Sequence, residues 1–153
     1  MHLIVAAVGK PRNAALAAAI ALYETRASRY WPLVVHEVRE EPARSASPDL
    51  VCAREGERLA ARVGAADLVV CDERGEQMTS AAFARFLQEA RERARDVAFV
   101  IGGAYGLAPE LRDRATKRLA VAPWTLPHEM ARLVLAEQLY RAGTIVRGEP
   151  YHK

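Results

Sequence analysis

Val97-Ala98-Phe99-Val100-Ile101 is a run of five apolar residues that stops abruptly at Gly102-Gly103-Ala104-Tyr105-Gly106. A short unbroken apolar run bounded by glycine reads as a strand buried on both faces. Strands of that kind belong to parallel sheets covered by helices. Working outward, Leu3–Val8 ends in Gly9 in the same manner, and Leu33–Val38, Asp67–Cys71 and Leu119–Ala122 supply further strands. Helical spacing fills the intervals. Asn13 caps a helix running to about Ser28, and Pro48 opens one that continues to Val63 and stops at Gly64. Thr79 or Ser80 caps a helix to about Arg93, whose Phe83, Phe86, Leu87 and Ala90 share a face. A short helix follows from Pro109 to about Lys117, and a last one spans Met130–Ala142 with Gly143 at its end. Asp72–Gly75 reads as a turn, and residues 40–48 as a flexible loop. Five alternations of strand and helix predict an α/β fold: one domain over residues 1–153, with a mainly parallel sheet and helices on both faces.

Composition narrows the function classes. With 51% hydrophobic and 27% charged residues, the 153-residue chain is excluded from the disordered class. No apolar run reaches the roughly 18 residues of a membrane span. No basic stretch precedes the first apolar run, so a secretory leader is not expected and a cytoplasmic location is. Cys52 and Cys71 form neither a disulfide framework nor a metal-ligand spacing, so no metal is expected. A net charge of +3 permits a nucleic-acid partner without requiring one.

Ligands of open α/β sheets bind beyond the carboxyl ends of the strands. Three such ends are informative: Cys71–Gly75, Gly102–Gly106 and Ala122–His128. The glycine segment matches neither the dinucleotide fingerprint nor a phosphate-binding loop, and is either a ligand cradle or a tight turn. His128 follows Pro127 at a helix start, where it is either a cap or a catalyst. Trp124 is either core or an aromatic wall. Asp72, Glu73 and Glu76 read as an ordinary acidic turn. Arg132 and Arg141 are nine residues apart on the last helix, which at about 100° per residue puts them on opposite faces. That helix is apolar almost all round, so a subunit interface is expected beside the core. The tail residues Arg147, Tyr151, His152 and Lys153 suit RNA phosphates and splayed bases, or a plain solvated terminus.

Taken together, Val100-Ile-Gly-Gly-Ala-Tyr-Gly-Leu107, Thr125-Leu-Pro-His128, Arg132-Leu-Val-Leu-Ala-Glu-Gln-Leu-Tyr-Arg-Ala142 and Arg147-Gly-Glu-Pro-Tyr-His-Lys153 resemble the ribosomal RNA large subunit methyltransferase H family, of the SPOUT class. Val8-Gly9-Lys10 and Glu55-Gly56-Glu57-Arg58 match as well, so the resemblance covers essentially the whole chain. It implies a trefoil-knotted C-terminal segment, a homodimer, and transfer of a methyl group from S-adenosyl-L-methionine to N3 of a pseudouridine in 23S rRNA of the assembled ribosome. By the same resemblance the donor contacts Cys71, Gly102, Gly103, Val121, Ala122, Pro123, Trp124, Thr125 and Leu126. His128, Arg132, Tyr151 and His152 are the catalytic candidates, and Arg132, Arg141, Arg147, Tyr151 and His152 the RNA contacts. Cys71 stands where the family usually has Leu, and Ala108 where a capping Ser is common. The competing expectation is a ribosome- or RNA-binding factor that keeps the fold without the catalysis.

Overall fold

The computed structural model describes residues 1–42, 44 and 46–152, the side chain of His152 excepted. Part of the loop at 40–48, together with Lys153, therefore lies outside the described residues. The elements, in order, are β1 (Leu3–Val8), α1 (Ala14–Ala27), β2 (Leu33–Val38), α2 (Pro48–Val63), β3 (Asp67–Gln77), α3 (Ser80–Glu92), β4 (Val97–Ile101), α4 (Pro109–Arg114), β5 (Lys117–Ala120) and α5 (His128–Val146). The strands form one sheet in the order β2-β1-β4-β3-β5, and every neighbouring pair is parallel. The fold is α/β, as the alternation of strand and helix requires.

Helix starts follow their capping chemistry. The Asn13 side chain accepts hydrogen bonds from the amides of Ala15 and Leu16, both at 3.0 Å. Ser47 accepts from Leu50 and Thr79 from Ala82. Each oxygen satisfies an amide that has no partner inside its helix. Ala108, before α4, makes no such bond.

Two apolar layers sandwich the sheet. On one face Leu3, Val5, Val69, Phe99 and Ile101 meet Ala27 of α1, Phe83 and Leu87 of α3, and Leu135 and Leu139 of α5. On the other, Ala6, Val8, Val70, Ala98 and Val100 meet Leu59 and Val63 of α2 and Leu111 of α4. Trp31 anchors the first layer. It is buried, its indole N–H donates to the Leu139 carbonyl at 2.8 Å, and the Arg91 guanidinium lies 4.0 Å from its ring centre.

Several boundaries differ from expectation: α4 ends at Arg114 and not near Lys117, and α5 starts at His128 and not at Met130. The strand expected to stop at Cys71 continues to Gln77, with Cys71 and Glu76 both opposite Leu119 of β5. Asp72–Gly75 is thus a bulge within β3 and not a terminal turn. A Cβ on Gly75 would lie 2.6 Å from the Arg118 backbone, so this close approach needs glycine. The last strand is shifted back to Lys117–Ala120, which frees Val121 and Ala122 for the loop that follows. Finally, Gly143 sits inside α5, which runs on to Val146. Its role is packing, because a Cβ there would stand 2.3 Å from Tyr30 Cγ.

Gly143→Ala should therefore destabilise the protein. Overpacking of this kind costs about 1–3 kcal/mol, against a helix-propensity gain of about 1 kcal/mol. Urea denaturation at fixed protein concentration measures the net loss.

Candidate functional site

Helix placement opens the site. β4 is followed by α4 on one face of the sheet, whereas its neighbours β1 and β3 are followed by α1 and α3 on the other. Connections that leave in opposite directions open a crevice at the strand ends. Here a cleft forms on each side of the β4 terminus. The larger, about 660 Å³, lies toward β3 and β5; the smaller, about 390 Å³, lies toward β1 and β2. Gly103, Ala104, Tyr105 and His128 line both and form their common wall.

The larger cleft collects the three strand ends. Cys71 and Gly102 lie at its floor edge with Ile101, and Val121, Ala122, Trp124, Thr125 and Leu126 come from the loop before α5. Pro123 is exposed and does not line it. A Cβ on Gly102 would lie 2.6 Å from the Gly106 carbonyl oxygen, so the turn closes only without side chains. Burial pushes the Cys71 thiol up to about 12, which leaves it neutral and suited to apolar contact. Trp124 is 76% exposed and therefore a rim residue, not core. The Thr125 hydroxyl donates to Glu73, which fixes the loop against the β3 bulge. Arg112 reaches the wall from α4, with Nε 3.3 Å from Asp72 Oδ2.

His128 is the first residue of α5, after Pro127, and lines both clefts. Arg132 is one turn on, but its guanidinium is buried and fully engaged. Nε donates to Glu24 Oε1 at 2.8 Å, Nη2 to Glu24 Oε2 at 3.2 Å and Nη1 to Glu37 Oε1 at 2.7 Å. Burial alone would weaken its hold on the proton; the two carboxylates outweigh that and raise its pKa. Arg132 thus ties α5 to α1 and β2, and its donors face neither cleft nor solvent.

Arg141, Arg147 and Tyr151 gather near the other end of α5. The Tyr151 hydroxyl donates to Glu137 Oε1 at 3.1 Å, and its ring packs 4.5 Å from that of Tyr140. Arg141 lies 4.9 Å from the Tyr151 ring centre and 2.6 Å from Glu137 Oε1, while Arg147 lies over Tyr30. Burial, then the bonds to Tyr23 and Glu137, raise the Tyr151 pKa, so it remains a phenol at neutral pH. His152 lies in the short 3-10 turn Pro150–His152, its side chain outside the described residues. Tyr140 is 12 positions past His128, about 18 Å along the helix. The expected catalytic set is therefore split within the chain. His128 lines the clefts, Arg132 is in the core, and Tyr151 is at the far end.

A family model described as "Predicted SPOUT methyltransferase" matches residues 1–152. A ribosomal RNA large subunit methyltransferase H of Gemmatimonas aurantiaca is 63% identical to this chain, with the whole of both chains covered. The chain belongs to the ribosomal RNA large subunit methyltransferase H family. Its counterpart in Anaeromyxobacter dehalogenans is 48% identical, again over all of both chains. In fold, the chain is similar to a probable methylase family protein from Haemophilus influenzae, with a TM-score of 0.56 at 15% identity, over 99% of this chain and 70% of that one. The chain is accordingly a SPOUT methyltransferase of the kind its relatives' names describe.

Some residues of this site receive no role from the sequence. Asp72, Glu73 and Arg74 fall in the strand end Cys71–Gly75 singled out above, and they line the larger cleft from the bulge, which spacing does not reveal. Glu55, which enters the sequence reading only as part of the family-matching Glu55-Gly56-Glu57-Arg58, lines the smaller one from the middle of α2. Among the described residues, no group of acidic, His and Cys side chains could hold a metal ion, and no helix is long and apolar enough to cross a membrane.

Arg132→Met removes the partner of two partly buried carboxylates. The expected loss of stability is about 3 kcal/mol, read from the urea midpoint of the purified protein.

Proposed function

We propose that this methyltransferase acts in the cytoplasm as a homodimer, and transfers the methyl group of S-adenosyl-L-methionine to N3 of a pseudouridine in 23S rRNA of the assembled ribosome. The carrying observation is the larger cleft itself, closed by a glycine turn and bordered by His128. The residues present fit such a donor. Ile101, Val121, Ala122, Leu126 and Ala131 offer apolar contact, Asp72 and Glu73 offer acceptors to ammonium and hydroxyl groups, and Arg112 offers a guanidinium to a carboxylate. When bound, S-adenosyl-L-methionine supplies a methyl group on a positively charged sulfur, ready for in-line displacement.

The chain's own work is then alignment and proton removal. The wall of Gly103, Ala104 and Tyr105 holds the acceptor ring at the boundary of the clefts, where fixed geometry lowers the barrier by several kcal/mol. A ring N3 carries a hydrogen that must leave for its lone pair to react. His128 stands at that boundary and takes the proton or relays it to water. Arg141, Arg147, Tyr151 and His152 bind RNA. Since Arg141 and Tyr151 sit about 18 Å along α5 from the clefts of their own chain, the tail serves the clefts of a second copy. Met130, Leu133 and Val134 on α5 are only half-buried and supply apolar surface for that pairing. Arg132 takes a positioning role, setting the pitch of α5 through Glu24 and Glu37, and leaves the RNA contacts to the tail. The knot belongs to the same proposal. β5 is an edge strand, yet α5 packs against both α1 and α3, so the chain returns across the sheet.

His128→Ala should keep donor affinity in calorimetric titration while slowing ribosome methylation roughly 100-fold or more. Removing residues 147–153 should abolish methylation, again with donor binding retained. Mixed dimers that pair a His128→Ala chain with a truncated chain should recover activity, because one site then has both its histidine and its tail. Dead mixed dimers would show that each tail serves its own chain. Absence of donor binding at millimolar concentration would favour a silent RNA-binding factor instead.

A further inference from the structure

Glu55 is 4% exposed, in the middle of α2. Its Oε1 accepts the Glu41 amide N–H at 3.0 Å. Among the described residues, no donor reaches Oε2. A buried carboxylate oxygen left unpaired bears its whole desolvation penalty, and such groups are uncommon in native folds. This one lines the smaller cleft together with Val8, Arg12 and Tyr105. The wall it faces is Gly103, where a Cβ would stand 2.7 Å from Oε2. Glycine at that position therefore leaves the oxygen turned toward the boundary of the two clefts. Burial, the largest influence, and Glu40 raise the Glu55 pKa against the Glu41 amide. An arriving N–H donor would favour the charged form that burial disfavours.

We propose that the smaller cleft seats the acceptor base, and that Glu55 Oε2 accepts the hydrogen bond of that base's N1–H. This rests on the pseudouridine reaction proposed above. Pseudouridine is joined to its ribose through C5, so N1 carries a hydrogen; uridine is joined through N1 and has none. N1 and N3 flank the same ring carbon. A ring that aims N3 across the shared wall at the donor cleft therefore offers N1–H to the lining of its own cleft. Tyr105, 47% exposed on that wall, gives the ring a face to stack on, and Arg12 at the rim gives its phosphate a cation. Glu55 is thus a specificity-determining residue, selecting the C-linked base over the N-linked one.

The test uses the full-length dimer and ribosomes that carry either pseudouridine or uridine at the target position, with kcat/KM compared for each. Wild-type protein should prefer pseudouridine by roughly tenfold or more, the scale of one charge-assisted hydrogen bond. In Glu55→Gln the Glu41 amide keeps an oxygen on its own side, so the new NH2 group takes the place of Oε2 and donor faces donor. The preference should fall to near parity while calorimetric donor affinity stays unchanged. A retained preference overturns the assignment. So does a lost preference accompanied by lost donor binding, which would mean the change acts through the Gly103 wall. As a check that needs no variant, N1-methylpseudouridine at the target should react with wild-type protein no faster than uridine; a rate equal to that of pseudouridine overturns the assignment. Wild-type protein that methylates neither ribosome overturns the underlying reaction and this assignment with it. Activity with an unchanged preference in Glu55→Gln overturns the assignment alone.

Discussion

The burial of β4 is the constraint on which the rest of the structure depends. All five of its residues are buried, with strands hydrogen-bonded on both sides and apolar layers above and below. Such a strand cannot bend or slip without exposing core, so the chain leaves it at one fixed point. The parallel pairing of all neighbours brings the other strand ends to the same edge. Gly102 turns the chain where any side chain would strike the Gly106 carbonyl. The next helix then crosses to the face opposite α1 and α3. Two clefts separated by one short wall result from these placements, and the wall is the glycine segment itself.

The longest helix, α5, does several jobs along its length. Its first residue, His128, stands between the clefts. Its middle is held in the core by the Trp31 indole on the Leu139 carbonyl and by Arg132 between Glu24 and Glu37. Its last turns carry Arg141 and the docked tail. A rigid helix keeps these parts apart: the ion pair that fixes its middle also fixes how far the tail stands from the clefts.

Two sets of carboxylates contrast. Glu24 and Glu37 meet a guanidinium that uses three of its nitrogens on them, and serve architecture. Glu55 has one oxygen satisfied and one without a partner among the described residues, beside a cleft. Glu55 is the more deeply buried, yet only the first pair is compensated by a guanidinium. That difference separates a strut from a group that awaits a ligand.

Much of this was legible in the residue order. Val97–Ile101 announced a strand buried on both faces, and Asn13, Pro48 and the pair Thr79-Ser80 announced helix starts, because these depend on local hydrogen bonding and on period. The glycine turn, Trp124 and His128 were legible as candidates for the same reason: they sit where strands end. Other features needed the tertiary structure. Asp72–Gly75 has the composition of a turn, and becomes a bulge only because β5 pairs on either side of it. Gly143 looks like a helix stop, and is a packing notch because Tyr30 comes from far along the chain. Arg132 looks like a surface cation until α1 and β2 bring two carboxylates to it. Glu55 is only one letter of a family motif until Gly103 and the Glu41 amide close around it. The sequence by itself determined the elements and the family, through short-range periodicity, caps and motifs. Which charges are spent and which remain for chemistry was decided by the tertiary structure, since a side chain's partner is set by what folding brings within about 3 Å of it.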